Sequence, residues 1–195
     1  MMLMLVVQLT FAVQYTKIKE VSMSNIIHSI GASLEGGQYY TAFVTALCLP
    51  DMCGYLDYPS AHTKDRYMGW FEKYMPQYLP MVSAAEAYAL RCVVLHNATQ
   101  STAPYVQRSK PNHGLLLDKF LLSTETSSHL NKFTDIFENG VKLADSVQLN
   151  VGQYCRDMLD GVARWEKDKE MRLEEYPDAL SFYEDSINHG SVRIT

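Results

Sequence analysis

Apolar positions recur every three or four residues over much of this chain, the period of helices that bury one face. Ser24 caps a first helix that sets Ile26, Ile27, Ile30 and Leu34 on one side, and Gly36-Gly37 ends it. A second carries Tyr40, Phe43, Val44 and Leu47; Pro50 kinks or ends it, and residues 51–54 continue as a bent turn towards Pro59. His62 to Leu79 form a third, with a stripe of Tyr67, Phe71, Tyr74 and Tyr78 flanked by Trp70 and Met75, the composition of a core face. The fourth, Ser83 to Asn97, has the firmest start: Ser83 with Glu86 three residues on is a capping box, followed by the good formers Ala and Leu. A last long helix places Val147, Val151, Tyr154, Met158, Val162 and Trp165 on one face, capped by Ser146 or Asp145 and broken at Pro177.

Elsewhere the period changes. Val7, Leu9, Phe11, Val13 and Tyr15 alternate with more polar residues, which predicts a strand. Such a strand needs a partner, either within residues 115–133 or from a second subunit. Residues 97–114 hold Pro104, Pro111 and Gly114 and read as a long loop. Leu115 to Phe133 fits either a short helix or a small hairpin, and residues 176–195 hold at most one short turn of helix. The predicted fold is all-α: a bundle of four to five helices, with a short β-hairpin or an N-terminal strand added. Residues 1–22 form an N-terminal extension or strand, or a stretch translated from upstream of the native start; residues 23–170 form the helical domain and 171–195 an acidic tail.

Composition narrows the classes. At 195 residues, 47% apolar and 20% charged, the chain can bury one sizeable core. The first seven residues are too short to span a membrane and lack the basic start of a signal peptide. Four cysteines without a CxxC pair read as reduced core thiols of a cytoplasmic protein. A net charge of −5 argues against a generally basic nucleic-acid binder, but no acid falls between Glu86 and Asp118, where Arg91, His96, Arg108, Lys110 and His113 cluster. No HExxH, no Cys or His pairs at zinc spacing, no phosphate-binding glycine pattern and no GxSxG occur, so neither a metal nor another cofactor is expected. Metal-free acid–base chemistry remains.

RNA cleavage suits that chemistry, because the substrate brings its own 2′-hydroxyl nucleophile. The protein needs one group that moves a proton near neutral pH, as His does, and one fixed cation for the phosphate, as the planar fork of Arg provides. Arg91 and His96, five residues apart on one helix, stand about 140° apart around its axis and about 7.5 Å along it. That separation predicts a homodimer, with both side chains reaching a groove shared by two copies of the helix.

The Arg-x4-His signature of Tyr88-Ala-Leu-Arg-Cys-Val-Val-Leu-His96, with Ala46-Leu-Cys-Leu-Pro-Asp-Met-Cys-Gly54 before it, resembles the HEPN superfamily (higher eukaryotes and prokaryotes nucleotide-binding) over about residues 23 to 166. The resemblance implies an all-helical domain, and for many members a metal-independent endoribonuclease at a dimer interface, often the toxin of a toxin–antitoxin or phage-defence system. It implies Arg91 on the scissile phosphate, His96 as general base or acid and Asn97 orienting His96, with a cognate antitoxin protein as partner. Arg108, Lys110 and His113 would contact RNA. Catalytic members usually carry Asn, Asp or His where this chain has Cys92, a departure that favours the other reading: a non-catalytic HEPN-like module that binds a partner protein or a nucleotide.

Overall fold

A computed structural model describes residues 15–21, 23–102, 117–124, 128–170 and 180–185. The described helices are α1 (Met23–Glu35), α2 (Tyr39–Ala46), α3 (Leu49–Asp57), α4 (Thr63–Tyr74), α5 (Ala84–Asn97) and α6 (Val151–Lys169). The strands are β1 (Tyr15–Val21), β2 (Lys119–Ser123), β3 (Asn131–Phe133), β4 (Phe137–Glu138), β5 (Val141–Lys142), β6 (Ser146–Asn150) and β7 (Leu180–Asp185).

The helical core follows the predicted stripes except at Tyr40, which stands 66% exposed on α2. Ile30, Phe43, Leu47, Tyr67, Phe71, Tyr78, Leu90, Val93, Tyr154, Met158 and Trp165 share one buried cluster. Helix α6 runs against α1, α2, α3 and α4 with its Tyr154, Met158, Val162, Trp165 face. Pro50 does not end a helix: it sits in the first turn of α3, where a missing N–H breaks no intrahelical bond. The expected bent turn over residues 51–54 is instead helical. Pro76 does the stopping, so α4 ends at Tyr74, short of Leu79, and the chain continues as turns.

The all-α expectation is overturned. Between α5 and α6 lies a three-stranded sheet in the order β2-β6-β3, with β2 parallel and β3 antiparallel to β6. The Val147 spacing that resembled a helix start belongs to β6: four of its five residues are buried, because a central strand covered on both faces shows no alternation. Asn150 then caps α6, its Oδ1 accepting the Gln153 N–H at 2.8 Å, so the helix begins four residues after Val147. Among the described residues of 115–133, β2 and β3 do not pair with each other, since β6 separates them; a hairpin forms at β4–β5, turned by Asn139 and Gly140 at φ 50° and 80°.

Strand β1 pairs antiparallel with β7 of the same chain, from Tyr15↔Asp185 to Val21↔Leu180. The expected partner of the alternating stretch falls with residues 1–14 outside the described residues, and the region expected to hold a turn of helix supplies a strand. Residues 1–14, with most of the alternating stretch, lie outside the described residues. Among the described residues no helix is long and apolar enough to cross a membrane.

Candidate functional site

The capping box of α5 forms as its sequence dictates. Ser83 N–H donates to Glu86 Oε2 at 2.7 Å, and Glu86 N–H donates to Ser83 Oγ at 3.3 Å. Glu86 is itself buried and its Oε1 accepts the Leu117 N–H at 3.2 Å, fixing the chain that enters β2 against the start of α5. The helix ends at Asn97, followed by Ala98 in the left-handed region at φ 49°.

Arg91 and His96 stand in the last two turns. Arg91 Nη1 lies 3.5 Å from His96 Nε2 within one chain, although their Cα directions diverge. The arginine stem is long enough to run up the axis and cancel the angular offset, so a second copy is not needed to bring the two groups together. Arginine can only donate, so a hydrogen bond in this contact uses the Nε2 lone pair, which the Nδ1–H tautomer supplies.

What holds Arg91 was not visible in its neighbourhood of sequence. Its Nη2 donates to Asp51 Oδ2 at 3.4 Å, while Arg66 Nε donates to Asp51 Oδ1 at 2.7 Å. One carboxylate from the first turn of α3 thus joins arginines from α4 and α5. Arg66 is fixed further by Ala61 O, by Thr63 Oγ1 and by the Tyr55 ring, 5.2 Å beneath its guanidinium carbon. All three charged side chains are largely buried, at 16–18% exposure, whereas His96 is exposed. Burial opposes the Arg91 charge, but Cys92, Asp51 and Cys48 outweigh it and hold the guanidinium more firmly protonated than usual. Arg91 Nε is buried with no hydrogen-bond partner among the described residues. The Cys48 thiol beside this cluster is pushed up by burial, against the pull of Arg91.

Asn97, on the exposed end of α5, makes no hydrogen bond to His96 among the described residues. Arg108, Lys110 and His113 lie outside the described residues. Cys92 is buried in α5, and all four cysteines are free thiols. No three His, Cys, Asp or Glu converge as metal ligands would among the described residues.

A second histidine cluster escaped the sequence reading. His129 Nδ1 accepts the Asn150 N–H at 3.1 Å, its Nε2 lies 2.8 Å from Tyr78 Oη, and Tyr78 Oη donates to Asp157 Oδ2 at 2.7 Å. Gln153 Nε2 donates to Asp157 Oδ1 at 2.7 Å. Both imidazole nitrogens are occupied and Tyr78 is fully buried, so this network pins β3 and β6 to α6 and has no free group for chemistry. Only long-range pairing assembles it, and no local pattern announces it.

Compared with family models, with curated proteins and with solved structures, the chain matches none.

Proposed function

We propose that this chain is a metal-independent endoribonuclease of the HEPN type, acting on RNA as a homodimer, with a cognate antitoxin protein as its natural restraint. The observation that carries the reading is the contact at the exposed end of α5, where the Arg91 guanidinium lies 3.5 Å from His96 Nε2. His96 takes the 2′-hydroxyl proton, the 2′-oxygen attacks phosphorus, and the P–O5′ bond breaks to leave a 2′,3′-cyclic phosphate. The leaving 5′-oxygen takes its proton from water or from the second copy's imidazolium. Arg91, held firmly charged, stabilises the extra negative charge on the phosphoryl oxygens.

Cleavage of single-stranded RNA in EDTA tests this. The His96→Ala variant should lose about 10²- to 10⁴-fold of the rate. Arg91→Lys should fail as well, because a point ammonium cannot reproduce the fork. Cleavage that persists unchanged in His96→Ala would assign the activity elsewhere, and sedimentation as a monomer would remove the dimer.

One observation favours the alternative, a non-catalytic HEPN-like module that binds a partner protein or a nucleotide. Arg91 is mostly buried and already paired with Asp51, which suits an arginine that knits α3 to α5. Wild-type protein without activity on any RNA would decide for that reading.

A further inference from the structure

Between α3, α4 and the C-terminal end of α6 lies a cavity of about 300 Å³, bordered by Tyr58, Arg66, Gly69, Trp70, Lys73 and Lys169. Its most telling residue is Gly69. Glycine is the poorest helix former after proline, yet Gly69 sits in the middle of α4, and a Cβ built there meets nothing within 4 Å. The contrast is with Gly54, where a Cβ would come 2.8 Å from Arg66 O, and Gly161, where it would come 2.9 Å from Met75 Sδ; packing requires both of those. Gly31 is equally open, so openness alone is not telling; Gly69 matters because it borders this cavity. A backbone left bare beside a cavity lets a ligand approach the helix itself.

The walls specify the ligand. Tyr58 is 63% exposed, with Lys169 Nζ over its ring 6.0 Å from the centroid, and Trp70 and Tyr74 line the same space, their rings 5.3 Å apart. Arg66, Lys73 and Lys169 border the cavity with Asp57 and Asp65, each already paired: Arg66, largely buried, with Asp51, the more exposed Lys73 with Asp168, and Lys169 Nζ with Asp57 at 3.0 Å. Such a mixed rim rejects both an apolar ligand and a polyanion; it suits a planar ring with donors and acceptors and one nearby anionic group. The volume is at the small end for ligand sites, enough for one nucleotide unit. Arg66 also belongs to the Asp51–Arg91–His96 chain of contacts, so the cavity is linked to His96 through Arg66, Asp51 and Arg91.

We infer that this cavity takes the base of a nucleotide next to the scissile bond of single-stranded RNA and so sets where the chain is cut. The inference rests on the ribonuclease reading for the meaning of the subsite. A base paired and stacked in a duplex could not enter it. Tyr58 stacks on the base, the bare backbone at Gly69 lets the ring lie close to α4, and the exposed Lys73 ammonium meets its phosphate.

The experiment uses the full chain and the four ribonucleoside 5′-monophosphates as probes, followed by calorimetry and by tryptophan emission, to which Trp70 in the cavity wall contributes. At least one nucleotide should bind and quench the emission. Gly69→Ala should weaken that binding roughly tenfold or more, the effect of one added methyl-sized group in a close-fitting site, while melting no lower than wild type. Tyr58→Ala should lose binding and Tyr58→Phe should keep it. On RNA, Gly69→Ala should change the base preference and raise KM with His96 untouched. Nucleotide binding lost in Gly69→Ala, without RNA cleavage by any variant, would retain the nucleotide site and remove the ribonuclease reading. Cleavage with the same base preference and KM in Gly69→Ala would overturn the subsite and leave the ribonuclease reading standing. No binding of any monophosphate, or a lower melting temperature for Gly69→Ala, would also overturn it.

Discussion

Arg91 has two attachments of opposite character: Asp51 inside the protein and His96 at its surface. Removing it leaves a largely buried carboxylate with one arginine in place of two. Arg91→Ala should therefore cost about 1–3 kcal/mol in urea denaturation, whereas exposed His96→Ala should stay within about 0.5 kcal/mol. Activity lost in Arg91→Ala thus mixes stability with chemistry, and His96→Ala gives the cleaner reading of catalysis. At Asp157 burial pushes the carboxyl pKa up, but hydrogen bonds from His129, Tyr78 and Gln153 outweigh it and hold the pKa below the usual carboxylate range. A lowered folded-state pKa means stability that is present above the unfolded value and lost as pH falls through the folded one. Asp157→Asn should lower stability near neutral pH and flatten the acid limb of a stability-versus-pH curve; an unchanged acid limb would show that the network adds no pH dependence. That Arg91 and His96 share one helix was legible in sequence; that they meet within one chain was not, because helix geometry sets their Cα directions about 140° apart. Asp51 and Arg66 could not, because their meeting with Arg91 depends on how three helices cross.

At the scale of elements, local signals with a unique physical reading were legible and ambiguous ones were not. The Ser83–Glu86 box forms as written, since both of its bonds lie within one turn. Asn139-Gly140 is an equally specific hairpin signal, both residues taking positive φ, and it was in plain view in Phe-Glu-Asn-Gly-Val-Lys. Val147 misled because a step of four to Val151 fits a helix, while the buried central strand that holds Val147 has no period-two signature. The crossing of α3 over α4 depends on Gly54, whose missing Cβ lets the Arg66 backbone approach. Gly54→Ala should separate the two helices at a cost of about 1–3 kcal/mol, measured by chemical denaturation. A wild-type midpoint in that variant would show that the crossing has slack.

At the scale of the whole molecule, the mixed architecture was hidden because its sheet joins segments distant in sequence: β2 finds β6 in parallel, and β1 finds β7 near the other end of the described chain. Helix stripes predict which faces are buried, but not that a sheet will cover one side of them. Asn150 is the point where the two layers meet. It is at once the last residue of β6 and the cap of α6, with its N–H on His129 and its Oδ1 on the Gln153 N–H. With no linker at this seam, loosening the central strand withdraws the helix cap, and fraying the first turn of α6 pulls on the strand. β6 and the first turn of α6 should therefore open together, with equal protection in amide hydrogen exchange; faster exchange confined to the first turn of α6 would show that the seam can act as a hinge.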